Sequence, residues 1–324
     1  MESVQSIKTR LKSIHNIGQI TKAMELVAAT KMRKSQEIAL AGRPYAFASL
    51  DLLAKISVQQ IDLPPLLKKR KIEKTAFVII TSDKGLAGSF NSATIRKFEK
   101  YIKEENIDVK VEERIHALLH PSPSARVNEK YFFIAVGKKA QTYLSNKGLK
   151  ITESFSRVGD FTLPEQTNQI SDFISKGYLE KKWDEVVVFS TYFKSALKQE
   201  VLARKIFPIE LSSIKKTIEE LIPETGKFSE IRKEIKLEEK PADYLIEPSS
   251  KVLLSKLAWH LARMRFYHLI LETNASEHAA RRMAMKNASD NAAELSEDLT
   301  LFYNKSRQAN ITKEISEIVS STLA

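Results

Sequence analysis

The sequence contains no cysteine, and that absence excludes several kinds of chemistry at once. With no Cys among 324 residues, the chain can form no disulfide, no thiolate metal site and no thiol redox switch. It also lacks any run of about 18 apolar residues, the length that a membrane-spanning helix requires. Residues 1–5 have no basic-then-apolar signal pattern, and no Arg/Ser-rich leader is present. The sequence therefore predicts a cytoplasmic protein with no helix across a membrane.

The motifs that bind nucleotide phosphates or build hydrolytic active sites are missing as well. Neither G-x-x-x-x-G-K-[ST] nor G-x-G-x-x-G occurs, and there is no nucleophile elbow or Ser/His/Asp pattern. His116 and His120 have the i, i+4 spacing of helical metal ligands, but no third ligand is evident. We therefore expect no catalytic residue, no cofactor and no metal in this chain.

Positive charge is in excess, but it is dispersed along the sequence. Of the formal net charge of +12, residues 1–60 contribute +5 and residues 250–324 contribute +2, which leaves +5 for the middle. A nucleic-acid-binding protein usually gathers its basic residues into one patch or stripe. The spread of charge therefore argues against a nucleic-acid partner.

Glycine and proline are both absent after Pro248, so nothing interrupts a helix from about Ser250 to Thr322. Apolar residues recur there at alternating steps of three and four, the spacing of a coiled-coil seam. Such a helix spans roughly 110 Å, which is too long for its own domain to bury, so it needs a partner helix, a partner protein or both. The predicted seam follows Leu254, Leu257, Leu261, Met264, His268, Leu271, Ala275, Ala288, Ala292, Leu295, Leu299, Phe302, Ser306 and Ala309.

A run of the same character opens the chain. Ser3 is suited to cap it, because its hydroxyl can accept a hydrogen bond from an early helix N–H. Pro44 predicts a kink, since it clashes with the carbonyl of Leu40. Two such helices at opposite ends of the chain would most simply pack antiparallel. The predicted seam follows Val4, Ile7, Leu11, Ile14, Ile17, Ile20, Met24 and Val27, then Ile38, Ala41, Tyr45, Ala48 and Leu52.

Between the two helices the period changes to that of an α/β domain. Short continuous apolar runs predict strands buried on both faces, and helical patterns separate them. The last two strands should pair as a hairpin, and the whole should form a small Rossmann-like, mostly parallel sheet covered by helices. The predicted strands are residues 76–80, 131–136, 150–157, 185–190 and 199–207, and the predicted helices are residues 92–103, 138–144 and 164–175.

These patterns divide the chain into four parts. We expect an N-terminal coiled-coil helix over residues 1–65, an α/β domain over 74–210 with an insertion at 107–128, a charged connection over 211–249, and a C-terminal coiled-coil helix over 250–324. Gly85-Leu86-Ala87-Gly88 follows the first strand at the place of a phosphate loop, but we interpret it as a tight turn before a helix capped by Asn91.

Three blocks near the ends of the chain resemble the gamma subunit of F-type ATP synthases. Residues 20–33, ITKAMELVAATKMR, resemble its N-terminal signature. Residues 276–288, SEHAARRMAMKNA, and residues 303–320, YNKSRQANITKEISEIVS, resemble its C-terminal signature. The middle is similar too, with a Gly-rich turn after the first strand, whereas residues 107–128 and part of 212–247 depart from the family pattern.

The resemblance implies a non-catalytic subunit of a proton-transporting two-sector ATPase. As the central shaft, it would turn inside a hexamer of alternating alpha and beta subunits and couple proton or sodium flow through a membrane ring to ATP synthesis at the beta subunits. The implied partners are alpha, beta, an epsilon subunit and the c-subunit ring, with one gamma for three alpha and three beta. The implied location is the cytoplasmic face of a bacterial plasma membrane, as a peripheral protein.

The resemblance also implies partner-contact residues. Met24, Arg281, Arg307, Gln308 and Thr312 match positions at which the family's shaft touches, or transmits force to, the beta subunits. The alternative interpretation is a coiled-coil scaffold with an α/β insert and no catalytic role, which explains the helices but not the insert. A nucleotide-binding enzyme would explain the insert but lacks phosphate-binding groups.

Overall fold

The computed structural model describes residues 3–41, 64–107, 130–158, 162–209, 247 and 249–322. The predicted kink at Pro44 lies outside these residues, as do nearly all of the predicted insertion and charged connection. In chain order, the elements are α1 (Val4–Ala41), β1 (Thr75–Ile80), α2 (Phe90–Glu104), β2 (Tyr131–Val136), α3 (Lys138–Asn146), β3 (Ile151–Phe155), α4 (Pro164–Leu179), β4 (Glu185–Phe193), β5 (Gln199–Phe207) and α5 (Ser250–Thr322).

The strands form one sheet in the order β3-β2-β1-β4-β5. β1 lies in the centre and pairs parallel with both β2 and β4, and β2 pairs parallel with β3. β5 returns antiparallel to β4 as the predicted hairpin. All six residues of β1 are buried, which agrees with its continuous apolar sequence. The Rossmann-like, mostly parallel α/β fold predicted from the sequence is confirmed.

Successive side chains along a strand point to opposite faces of the sheet, so the sheet has a hydrophobic core on each side. Phe77 and Phe133 point to one side, where they pack with Phe98 of α2 and Phe189 of β4, and their ring centroids lie 5.2–6.2 Å apart. On the other side Val78 and its neighbours pack against α4 and the first part of α5. A bidentate ion pair from Arg263 to Asp172, at 2.8 and 2.6 Å, joins those two helices.

α5 runs along β4 in the direction of the parallel strands. Near its start, Leu254 belongs to the same buried cluster as Leu66 and Phe207, at the edge where β1 and β4 begin. Further along, Ser276 Oγ donates a hydrogen bond to the carbonyl of Thr191, near the end of β4. We call residues 272–281 the junction, because α5 leaves the sheet there and continues into the coil with α1.

The two long helices pack antiparallel, as predicted. A Cβ atom placed on Gly18 would lie 3.4 Å from the Cβ of Ala292, so the backbones approach closely at this point. Lys22 hydrogen-bonds to Glu25 and, with the charges of Arg282 and Lys286 on α5, holds the pKa of the Glu25 carboxyl below its usual range. Rising residue numbers on α1 therefore meet falling numbers on α5.

The seam of α1 differs from the predicted one after Ile14. The covered positions keep the three-four spacing, but Ile17, Ile20 and Val27 are 52–59% exposed. After Ile14, most of the positions of α1 that face α5 hold small or polar residues. Small side chains at these positions allow the backbones of α1 and α5 to approach closely. The observed seam follows Val4, Ile7, Leu11, Ile14, Gly18, Thr21, Glu25, Ala28, Met32 and Ser35.

α5 shows two related departures from its predicted seam. Residues 269–279 are all buried, so the helix is enclosed there by the α/β domain and the coil together, and no narrow stripe exists. Beyond Ala292 the covered positions are Ser296, Leu299, Tyr303 and Ser306. The predicted Leu295 and Phe302 point outward instead.

Engineered disulfides distinguish the observed seam from the one predicted from the sequence. The chain has no native cysteine, so no other disulfide can form within it. We expect Gly18→Cys with Ala292→Cys to oxidise readily, because the two Cβ atoms would lie close to the separation that a disulfide needs. The control pair, Ile17→Cys with Leu295→Cys, follows the stripe predicted from the sequence and should stay reduced. Non-reducing electrophoresis reads both pairs. Preferential oxidation of the control would show that the observed seam is wrong.

Candidate partner interface

Large apolar side chains that remain exposed are concentrated on the coil. Of the seventeen found among the described residues, eleven belong to α1 or to α5 beyond the junction. Exposed apolar side chains gathered on one part of a molecule mark a surface that meets a partner. The coil is therefore the candidate interface.

One part of this surface is a second stripe on α1, which we call the outward stripe. It consists of Ile17, Ile20, Met24 and Val27, again at steps of three and four. Met24 is half-buried, and the other three are more than half exposed. Since Gly18, Thr21 and Glu25 occupy the seam, this stripe lies beside the seam on the flank of α1. The structure thus places Met24 in an apolar stripe that the described part of the chain covers only in part.

The end of α5, from about residue 307 to Thr322, forms a second part of this surface, which we call the tip. Gly18 faces Ala292, so the start of α1 at Ser3 lies opposite about residue 307. Roughly fifteen residues, or about 22 Å of helix, therefore run past the described start of α1. Ile311, Ile315, Ile318 and Val319 in the tip are 46–64% exposed.

The apolar face of the tip does not continue the seam. Extending the seam spacing beyond Ser306 leads to Asn310, Lys313 and Glu317, and the last two form an exposed ion pair at 3.7 Å. The isoleucines lie on the other side of the helix, since their positions are displaced by one or two residues from the seam positions. The tip is therefore solvated on the seam side and apolar on the opposite side.

Three of the predicted contact residues border this apolar face. Arg307, Gln308 and Thr312 are exposed, and helical spacing places Arg307 and Thr312 on its two flanks, with Gln308 between them. The Thr312 hydroxyl donates to the carbonyl of Gln308 at 2.9 Å, within the same helix. The guanidinium of Arg307 can reach a carboxylate or carbonyl of a surrounding protein.

Arg281, the fifth predicted residue, has a different environment. Its guanidinium donates to Glu277 Oε1 at 2.6 Å and to the carbonyl of Gly85 at 3.2 Å, and its side chain is only 11% exposed. The bond to Gly85 ties α5 to the turn after β1, where Leu86 has a φ of 62° and projects into solvent. Arg281 thus holds the junction together and does not lie with the residues of the tip.

The turn itself is braced by the protein. Asp83 accepts hydrogen bonds from the backbone N–H of Lys138 and of Arg157, at 3.0 and 2.8 Å. The sequence predicted that Asn91 caps α2, and this is wrong. The Asn91 Oδ1 instead accepts a hydrogen bond from the N–H of Ser82. Doubly wound folds bind ligands at the carboxyl edge of the sheet. In this chain the polar side chains of Asp83 and Asn91 at that edge form hydrogen bonds within the protein.

Sequence reasoning missed the polar core of the junction. Arg204 of β5 donates to Glu272 Oε2 at 3.0 Å, and His268 contacts the other oxygen of that carboxylate at 3.2 Å. Asn274 Nδ2 donates to Thr162 Oγ1 at 2.8 Å. The polar residues within this otherwise apolar part of α5 indicate a buried polar cluster. The sequence could not identify their partners, because Arg204 and Thr162 lie 68 or more positions away from them.

Chemical sites are not evident in the described ranges. No group of three or more His, Asp or Glu residues is arranged there to hold a metal, and His116 and His120 lie outside them. None of the described helices is long and apolar enough to cross a membrane.

A single chain that joins an α/β domain to an antiparallel coil with a protruding tip has the fold of a stalk protein. Similar chains occur in solved mitochondrial ATP synthases. One from Euglena gracilis, in an OSCP/F1/c-ring structure, has a TM-score of 0.59 at 17% identity and covers 99% of this chain and 93% of its own. One from the Tetrahymena thermophila central stalk and c-ring has a TM-score of 0.53 at 22% identity, covering 83% and 99%.

Sequence comparison gives the family. Residues 3–324 match the family model described as ATP synthase. The ATP synthase gamma chain of Roseiflexus castenholzii is 33% identical over 327 residues, covering 100% of this chain and 99% of the relative. That of Fusobacterium nucleatum is 31% identical and covers both chains completely. The chain belongs to the family of ATP synthase gamma subunits, which form part of the central stalk and carry no catalytic site of their own.

The junction supplies a stability test. We expect Arg204→Ala to lower the free energy of unfolding by about 3–5 kcal/mol, because it leaves the buried Glu272 carboxylate without its main cationic partner. Lys100→Ala is the control. Its side chain is 68% exposed and its partner Glu104 is 58% exposed, so its removal should cost less than about 1 kcal/mol. Urea unfolding followed by circular dichroism measures both, and equal losses would contradict the role assigned to the buried pair.

Proposed function

We propose that this chain is the rotating shaft of its ATP synthase. It turns inside a hexamer of alternating alpha and beta subunits and couples proton or sodium flow through a membrane ring to ATP synthesis at the beta subunits. The observation that carries this proposal is the position of the apolar side chains, which lie outside the seam on both helices and on the tip.

The tip supports enclosure by other subunits. Four exposed aliphatic side chains on an unpaired stretch of helix would be a liability in water. A second helix added along the seam would not cover them, because the seam side of the tip is polar and carries the Lys313–Glu317 ion pair. A wall of surrounding subunits would cover the apolar side and also meet Arg307, Gln308 and Thr312.

The asymmetry of the coil supports the coupling role. The outward stripe is apolar, whereas the seam side of the tip is polar, so the shaft presents chemically different faces in different directions. Three identical beta subunits around one such chain would each meet a different face. Rotation would then bring each beta subunit through the same sequence of contacts.

Partners and location follow from the same assignment. The Euglena gracilis structure includes F1 and a c-ring, and the Tetrahymena thermophila structure includes a central stalk and a c-ring. We extend these partners, with an epsilon subunit, to this chain. We place it as a peripheral protein at the cytoplasmic face of a bacterial plasma membrane. We also propose the division predicted from the sequence, with coil helices over 1–65 and 250–324, the α/β domain over 74–210 and the connection over 211–249.

The five contact residues divide into two roles under this proposal. Met24, in the outward stripe, and Arg307, Gln308 and Thr312, in the tip, would touch the surrounding subunits directly. Arg281 would act chiefly by holding the turn at Gly85 and Leu86 in place, so that force on this turn passes into α5. No observation in the described part of the chain favours the alternative of a self-associating scaffold.

Arg307→Ala with Gln308→Ala tests the tip. We expect a several-fold lower ATP turnover or ATP-driven ion pumping of the assembled complex, because polar contacts to the hexamer are lost. Subunit composition and helix content should persist, since exposed polar-to-Ala changes on a helix cost within about 0.5 kcal/mol. The matched control is Asn310→Ala with Lys313→Ala, which also removes one cation but on the seam side. Equal effects of the two double variants would remove Arg307 and Gln308 from the contact surface.

Native mass spectrometry of the purified complex tests the stoichiometry. A shaft that meets three beta subunits in three ways must be present once, so we expect one copy with three alpha and three beta chains. Two or more copies in one head, or an assembly of this chain with itself alone, would support the scaffold alternative instead.

A further inference from the structure

The hairpin formed by β4 and β5 extends well beyond the rest of the sheet. The pairing of β1 with β4 ends at Ile79 and Phe189, whereas β4 and β5 stay paired as far as Phe193 and Gln199. The further residues of β4 span about 13 Å at roughly 3.3 Å per residue. Because α5 runs along β4 in the same direction, the hairpin projects beside α5 on the side from which the coil leaves.

A tight turn over residues 195–198, which we call the apex, joins the two strands. The backbone N–H of Lys198 donates to the carbonyl of Ser195 at 3.3 Å, and the N–H of Ser195 donates to the carbonyl of Lys198 at 3.0 Å. The Ser195 hydroxyl accepts from the N–H groups of Leu197 and Lys198, at 3.3 and 3.1 Å. The apex is therefore braced by its own hydrogen bonds.

Leu197 is the apolar side chain that the apex presents to its surroundings. It is 79% exposed, the highest value among the large apolar side chains of the described residues. Two-residue hairpin turns favour Gly, Asn and Asp, which accept a left-handed backbone. Ala196 and Leu197 fill this turn instead, and neither has a positive φ. Neither the turn geometry nor the core of the domain accounts for a leucine here.

Both strands of the hairpin are bonded to α5. Arg204 of β5 donates to Glu272 Oε2 at 3.0 Å, and Ser276 of α5 donates to the carbonyl of Thr191 in β4 at 3.4 Å. Arg265 of α5 donates to a backbone carbonyl of β5 at 3.1 Å. A force on the apex therefore passes into α5 through bonds at three places along the hairpin.

Lysines lie close to the apex. Lys194 pairs with Glu200 at 2.5 Å across the hairpin. The hydrogen bond from Lys194, with the charges of Lys198 and of Lys97 on α2, holds the pKa of the Glu200 carboxyl below its usual range. Three lysines thus act on this one carboxylate, and the exposed leucine projects from positively charged surroundings. Such a surface complements an apolar pocket that carboxylates border.

The apex lies at the same edge of the sheet as the turn at Gly85 and Leu86, since β1 and β4 are parallel neighbours. The coil leaves the domain at this edge. If the coil enters the hexamer, as the proposed function states, the apex faces the underside of the hexamer beside the coil. This step rests on the proposed function, whereas the shape, exposure and charge of the hairpin do not.

We propose that the apex contacts a beta subunit and carries load between that subunit and α5. Leu197 enters an apolar pocket bordered by carboxylates on the underside of the beta subunit. A beta subunit is the partner because coupling, in the proposed function, runs through the beta subunits. Since the apex stands to the side of the coil, a force on it acts farther from the coil axis and produces a larger torque than the same force on the outward stripe.

Photo-crosslinking in the assembled complex tests the contact. The chain has no native cysteine, so Leu197→Cys labelled with benzophenone maleimide carries one reactive group, while alpha and beta are cleared of reactive cysteines. We expect light to link this chain to beta. The control is Ile72→Cys, which is 51% exposed at the base of the α/β domain, where β1 begins, and should not link to beta. A link from Leu197→Cys to another subunit only, or no link, would overturn the proposal.

Met24→Cys, labelled in the same way, shows which proposal fails. Met24 lies in the outward stripe, and its link to beta is expected from the proposed function alone. A link to beta from Met24→Cys but not from Leu197→Cys would overturn the apex contact and leave the proposed function standing. A link to beta from neither position would overturn the proposed function as well.

Two substitutions at position 197 test whether the contact bears load. Leu197→Asp places a negative charge where we expect carboxylates, whereas Leu197→Ile keeps an apolar side chain. We expect ATP-driven ion pumping of the assembled complex to fall at least about threefold for Leu197→Asp and to stay near the wild-type rate for Leu197→Ile. Urea unfolding should be unchanged in both, since the position is exposed. Equal pumping by the two variants would overturn the load-bearing role.

Discussion

One uninterrupted helix determines the arrangement of everything else in this chain. α5 covers one face of the sheet, forms half of the coil and continues as the tip, over 73 residues without Gly or Pro. Because a straight helix fixes the direction of every side chain relative to the first, its attachment at the junction sets the directions in which the coil and tip face. The buried Arg204–Glu272 pair and the bonds made by Asn274, Ser276 and Arg281 provide that attachment.

Between Ile17 and Ala28 the coil places the less apolar residues of α1 inside. Gly18, Thr21 and Ala28 lie in the seam, whereas Ile17, Ile20 and Val27 face outward. A free two-helix coil would gain stability from the opposite choice, since burying an aliphatic side chain contributes roughly 1.5–3 kcal/mol. Close packing through small residues makes the coil thin, and an apolar exterior suits it to enclosure by other subunits. The sequence is therefore consistent with a shaft that is completed by its surroundings.

The sequence predicted the α/β fold well, because short apolar runs and their spacing are local signals. Residues 131–136 and 199–207 were predicted with the bounds that the strands have. It failed where the deciding factor was not local. The choice between Ile17 and Gly18 depends on what surrounds the coil, and Arg204 meets Glu272 from 68 positions away. Among the predicted contact residues, the lengths of the two helices were enough to predict that Arg307 lies outside the paired part of the coil. Nothing in the sequence predicted the internal hydrogen bonds of Arg281.

The central claim is that this chain turns within its complex, and observing rotation is the most direct test. Lys181→Cys, at the exposed base, gives a single attachment site in a chain that has no other cysteine. A bead is bound there while the alpha and beta subunits, cleared of reactive cysteines, are fixed to a surface. On addition of ATP the account predicts unidirectional rotation in three equal steps per turn. A bead that stays fixed while the same complexes hydrolyse ATP would contradict it.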